Sequence, residues 1–171
     1  MDFQKLKHLT EKVWASRKIN EKTLGFQVQP GTKWNQGLKE SSIIKLASNL
    51  DFQLPNDIIE YYTTMDGLNS DLINVNGMDG RPPIFSKQFY SLSRDFLQIR
   101  TIIEQTKDFD LSQLDGNGSQ NLSPPVKLFP FAESLFVVCP PNPPLVISEE
   151  EDEYMVVSDS LIDYLYSSLR N

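Results

Sequence analysis

Apolar residues recur every three or four positions in five places along the chain and fall into short runs elsewhere, a texture that predicts helices first, a sheet next and a helix last. Phe3, Leu6, Leu9 or Thr10, Val13 and Trp14 share helical spacing, with Lys5, Lys7, Lys12, Arg17 and Lys18 mostly off that stripe. The pattern predicts a basic amphipathic surface helix docked by its apolar stripe. Its moderate hydrophobicity argues against a helix lying in a membrane surface. Gly25, Pro30, Gly31 and Gly37 then break the chain into a connector anchored by Trp34. A second helix over 40–49 places Ile43, Leu46, Ala47 and Leu50 on one face. Asp51-Phe52-Gln53 leads directly into a third, over 55–67, so two short helices meet at a tight corner. Pro55 stands at its first position, where a missing N–H costs nothing, and Gly67 where a left-handed residue lets the chain leave. Ile58, Tyr61, Tyr62 and Met65 form its apolar side, while Asn56, Asp57 and Glu60 set acid near its N-terminal dipole.

Beyond Gly67, apolar runs separated by Gly, Pro, Asn and Asp read as strands, so the sheet is expected to begin near Leu72. The candidate strands are 72–75, 89–92, 126–131, 135–139 and 145–148, with 154–157 as a sixth. Ser93 is placed to cap a helix carrying Phe96, Ile99, Ile102 and Ile103, and 108–125 reads as a polar loop. The closing helix, 158–169, carries Leu161, Ile162, Leu165 and Leu169 and starts at Ser158 and Asp159. Short strands joined by turns favour antiparallel pairing. The expected architecture is α+β: N-terminal helices and a C-terminal helix packed on a mainly antiparallel sheet of about five to six strands. At 171 residues one domain is expected over 1–171, with a core of about 38–169 preceded by an N-terminal helix and connector at 1–37.

Charge changes this picture more than composition does. The net charge of −7 is unevenly spread: the first 45 residues hold nine Lys/Arg against four Asp/Glu, leaving seven against nineteen for the rest. So acidic a remainder repels nucleic acid and attracts basic partners. Glu149, Glu150, Glu151, Asp152 and Glu153 are its densest point, either a solvated strand connection or part of a docking surface for a basic partner. No apolar run approaches the ~20 residues of a membrane span and no secretory leader is evident, so a cytoplasmic protein without membrane partners is expected.

Candidate chemistry is sparse. His8, the only histidine, lies in the first helix without a nearby nucleophile or orienting carboxylate motif. Cys139, the only cysteine, ends an apolar strand and reads as a buried, inert thiol. Asp115-Gly116-Asn117-Gly118 lacks the ligand ladder of a calcium loop, and phosphate-binding and nucleophile motifs are missing from the sequence. The residues therefore point away from an enzyme, with no catalytic residue, cofactor or metal expected. Pro140 to Pro144 reads as a rigid connection between strands rather than a ligand for a polyproline reader. Trp34, Tyr61 and Tyr62 read as core.

Three stretches resemble the SMI1/KNR4 or SUKH superfamily, together spanning about 38–169. The first is the apolar helix with Ile43, Ile44, Leu46 and Leu50, followed by Leu54-Pro55, the Tyr61-Tyr62 helix and Asp66-Gly67. The second is Leu128-Phe129-Pro130-Phe131-Ala132, and the third runs from Val157-Ser158-Asp159 through Leu165. The resemblance implies a SUKH-like fold in which Leu54, Pro55, Asp66 and Gly67 are structural. It also implies a protein-binding role, that of an immunity protein neutralising a cognate toxin domain such as a nuclease or deaminase. A regulatory or scaffold module linked to cell-wall synthesis or signalling is the alternative.

Overall fold

The computed structural model describes residues 2–22, 25–48, 50–69, 72–75, 108–109, 111–115, 122–132, 134–151 and 153–168. The strand expected at 89–92, the helix after Ser93, and Gly116, Asn117, Glu133, Asp152 and Leu169 lie outside them.

Helix α1 spans Phe3–Ser16, its first turn closed by the Asp2 carboxylate, which accepts from the Lys5 N–H at 2.7 Å. Phe3, Leu6, Thr10 and Trp14 form its buried stripe, whereas Leu9 and Val13 point outward. The choice between Leu9 and Thr10 thus falls to the polar residue. Thr10 tolerates burial because its hydroxyl donates back along the helix, to the Leu6 carbonyl at 2.9 Å, and accepts from Trp34 Nε1 at 2.7 Å.

The expected connector holds two strands, β1 (Gly25–Val28) and β2 (Trp34–Gln36). Helices α2 (Glu40–Ala47) and α3 (Asn56–Thr64) follow as expected, but both ends of α3 differ from the sequence reading. Pro55 is the extended N-cap rather than the first helical residue, and its carbonyl accepts from the Ile58 and Ile59 N–H groups. The helix stops at Thr64, and Met65–Leu68 continues as strand β3, paired antiparallel with β2. Gly67 is left-handed, at φ 72°, but inside this strand and not at a helix exit. Lys7 of α1 completes the helix end by donating from Nζ to the Thr64 carbonyl at 3.1 Å, a cation at a C-terminal dipole.

Strand β4 (Leu72–Val75) pairs with β1 in a separate two-stranded ribbon, so sheet structure begins at Gly25 and not at Leu72. The main sheet has six strands among the described residues: β5 (Asp108–Phe109), β6 (Leu114–Asp115), β7 (Val126–Ala132), β8 (Leu135–Val138), β9 (Val146–Glu150) and β10 (Glu153–Ser158). Their spatial order is β5-β7-β8-β9-β10-β6, antiparallel throughout except for the parallel β10–β6 pair. The stretch read as a polar loop therefore contributes both edges, with a 3-10 turn at Leu111–Gln113 between them. Pro130 pairs with Phe136 of β8 and lies beyond the two residues of β7 that β5 pairs, so among the described residues no strand pairs it on the β5 side. Between β8 and β9 the proline-rich connection is pinned by Asn142, whose side chain exchanges two hydrogen bonds with the Ser123 backbone, at 2.8 and 3.0 Å.

Alternation along β7, β8 and β9 divides the core in two. Phe129, Phe131, Leu135, Val137 and Val146 face the helices, joining Ile43, Ile58, Tyr61, Tyr62, Trp34 and Leu161. Leu128, Phe136, Val138 and Ile147 face the other way, covered by Leu114 and Leu122 and packed with Tyr154 and Val156. Helix α4 (Leu161–Ser168) closes the helical layer. Its start is Ser160 rather than Ser158: Ser160 and Asp163 form a reciprocal cap, and Asp57 of α3 accepts from the Leu161 N–H at 3.1 Å. The expected α+β architecture, helices on a mainly antiparallel sheet, is the one observed.

Candidate partner-binding surface

Five consecutive acidic positions cannot form one uniform patch when they end one strand and begin the next, because successive side chains of a strand point to opposite faces. The fold separates them in this way. Glu149 and Glu150 close β9, Glu151 occupies the turn at φ 52°, and Glu153 opens β10. Glu150 and Glu153 are direct cross-strand partners, so both point to the helix-bearing face. Glu149 pairs with Tyr154 and is turned to the opposite face, half-buried. The helix-face pair is close enough to α4 for the Glu150 charge to help raise the Tyr164 pKa, a shift that burial dominates.

Glu150, Glu151 and Glu153 are exposed and have no ion-pair partner among the described residues, where the ion pair found is Lys127–Asp51 at 3.2 Å. Like charges directly opposite across a ladder destabilise it. Glu153→Lys is therefore expected to raise the unfolding free energy by about 0.5 kcal/mol, read from urea denaturation, by turning the repelling pair into an attracting one. A docking surface that keeps such a pair trades stability for recognition.

The face also continues beyond the carboxylates. Met155 and Val157 follow Glu153 at alternate positions of β10 and are each 41% exposed. Periodicity alone predicts that 154–157 is a strand but does not tell which of its apolar residues stay uncovered.

The remaining sequence candidates separate into structural parts. Leu54 and Pro55 are buried at the helix corner, and Asp66 and Gly67 are buried in β3. The Asp66 carbonyl accepts from Asn35 Nδ2 at 3.0 Å. Its charge lies near Tyr61, whose hydroxyl is buried beside the Gly67 backbone without a hydrogen bond of good geometry; burial pushes that phenol well above its ordinary range. His8 is exposed on α1, while Cys139 is fully buried just past β8 with its thiol 3.8 Å from the Val137 carbonyl. No group of three His, Cys, Asp or Glu residues is gathered as metal ligands among the described residues.

Burial pushes the Cys139 thiol from its ordinary 9.0 up to about 12. Between those values the unfolded chain releases a proton that the folded chain keeps, so stability present below pH 9 is lost as the pH rises. Urea unfolding at about pH 8 and about pH 10 is expected to show this fall, at most about 1.4 kcal/mol per pH unit from this group, and Cys139→Ala should flatten it.

Helix layer, six-stranded sheet and the Leu54-to-Gly67 corner define an α+β domain whose β9–β10 hairpin carries exposed carboxylates without an ion-pair partner among the described residues. The chain belongs to the SMI1 / KNR4 family (SUKH-1), whose model matches residues 37–167. A search of curated proteins finds no match to it. The matched stretch runs from just before α2 into α4, leaving α1, β1 and β2 ahead of it. No helix among the described residues is long and apolar enough to cross a membrane.

Proposed function

We propose that this chain is a non-enzymatic protein-binding domain of the immunity type, acting in the cytoplasm, which binds a basic toxin domain and blocks it stoichiometrically. The observation that carries the reading is the exposed Glu150–Glu153 pair, held across a ladder without an internal cation among the described residues. A nuclease or nucleic-acid deaminase must line its substrate channel with positive charge, and a rigid acidic hairpin can occupy that channel by standing in for phosphates. The backbone of both residues is already paired in the β9–β10 ladder, which lowers the ordering cost that binding must overcome. Residues 1–171 act as one domain in this reading, supported by the Phe3–Tyr61 ring contact at 5.9 Å and the Trp34–Thr10 hydrogen bond that tie the first helix to the rest.

Co-expression with small toxic domains encoded beside this gene tests the proposal. One of them should lose its toxicity and co-purify with this chain in a fixed ratio. Continued toxicity of every neighbouring candidate, with no complex recovered, would count decisively against it.

A further inference from the structure

Helix α1 presents a second uncovered face, and its chemistry is opposite to that of β10. Its two acidic neighbours are both used internally: Asp2 caps the helix, and Glu11 accepts from the Trp34 N–H at 3.1 Å. What remains outward is Lys5 and Lys12 beside Leu9, 42% exposed, and Val13, 57% exposed. Neither lysine has an ion-pair partner among the described residues. These residues all precede the stretch matched by the family.

We infer that α1 of one copy docks on the exposed face of β10 of a second copy, head to tail. The two surfaces carry the same sequence of chemistries with opposite charge. Lys5, Leu9 and Val13 stand one helical turn apart, a spacing of about 6 Å. Glu153 and Met155 stand two strand residues apart, a spacing of about 6.7 Å, and the exposed Val157 follows at the irregularity between Val156 and Ser158. Laid side by side, the lysine meets the glutamate and two aliphatic side chains meet two others. Lys12 and Glu150 add charge of the matching sign on each side.

Charge also chooses the arrangement. Pairing α1 with α1 would oppose lysines, and pairing β10 with β10 would oppose carboxylates, so neither symmetric dimer is favoured. The net charge of −7 repels copies at a distance, but at about 0.15 M salt that repulsion fades within about 8 Å while contacting pairs persist. The head-to-tail contact is small, which places it in the weak, reversible class, and the pair as a whole retains one free surface of each kind. Because the acidic face is shared, self-association and the proposed toxin binding exclude one another on the copy whose β10 is covered. The inference itself requires no toxin.

Sedimentation velocity at about 0.15 M salt, over about 10 to 300 µM protein, tests it directly. The wild-type sedimentation coefficient should rise with concentration. Lys5→Glu/Lys12→Glu and Glu150→Lys/Glu153→Lys should each sediment as concentration-independent monomers. An equal mixture of the two should associate again, because each then meets a surface of opposite charge. All four positions are exposed, and circular dichroism of each variant verifies the fold. A wild type that stays monomeric, either variant associating alone, or a mixture that stays monomeric would each overturn the inference.

Discussion

Tyr61→Ala should lower the unfolding free energy by about 4 kcal/mol, the range of fully buried aromatic truncations. Tyr61 is completely buried, and its ring meets four others edge-on: Phe131 at 4.8 Å, Tyr62 at 4.9 Å, Phe3 at 5.9 Å and Trp34 at 6.1 Å. Those rings come from α1, β2, α3 and β7, so one side chain joins the N-terminal helix, the β2–β3 pair and the main sheet. Against a total stability of about 5 to 15 kcal/mol, a loss of this size is a large share of the whole. Tyr61→Phe is the control that separates ring from hydroxyl. Since the hydroxyl is buried without a well-formed bond, its removal should cost less than about 1 kcal/mol. Urea midpoints of the two variants decide the matter; similar large losses would mean that the hydroxyl, and not the ring cluster, holds this corner together.

Gly37→Ala is expected to cost about 3 kcal/mol, at the upper end for overpacking, although it adds a single methyl group. A Cβ on Gly37 would lie 2.5 Å from the Thr63 carbonyl carbon and 2.7 Å from the Thr64 carbonyl carbon. Both are backbone atoms at the end of α3, so no side chain can rotate away to make room. The approach is fixed next door by the Leu38 N–H, which donates to the Tyr62 carbonyl at 2.8 Å. Gly31 provides the contrast: its φ is +80° and nothing lies within 4 Å of a Cβ there. A substitution at Gly31 meets backbone strain alone and should cost about 1 to 2 kcal/mol. Equal effects at the two glycines in urea denaturation would contradict the close-approach account of Gly37.

Much of this fold was legible because burial and periodicity coincided. Ile58, Tyr61 and Tyr62 of α3, and Met65 just after it, are all fully buried, as their spacing predicts. Yet Met65 also shows how the pattern misleads. It completes a helical repeat but belongs to β3, and a side chain directed to the core satisfies either geometry. Strands β1 and β2 are four and three residues long, and β5 and β6 two each, too short for alternation to emerge from their polar neighbours. Gly37 read as punctuation because a sequence does not reveal which backbone passes overhead. Val13 read as part of a docked stripe, but α1 buries a narrower arc than its apolar residues span.

For the candidate surface, the acidic run was visible and its division was not. Only the β9–β10 register shows that Glu150 and Glu153 stand together while Glu149 turns to the other face beside Tyr154. That register gives the functional proposal its sharpest form, since it names two of five carboxylates as the pair facing a basic partner together.

The most direct test is the association rate with a basic toxic domain that co-purifies with the chain in the co-expression test, measured by stopped flow for wild type and Glu150→Lys/Glu153→Lys across a salt series. Electrostatic capture by this pair predicts that the wild-type rate falls with salt and that the double variant associates at least about tenfold more slowly near 0.15 M, with little salt dependence left. A double variant that associates at the wild-type rate at every salt concentration would contradict the account.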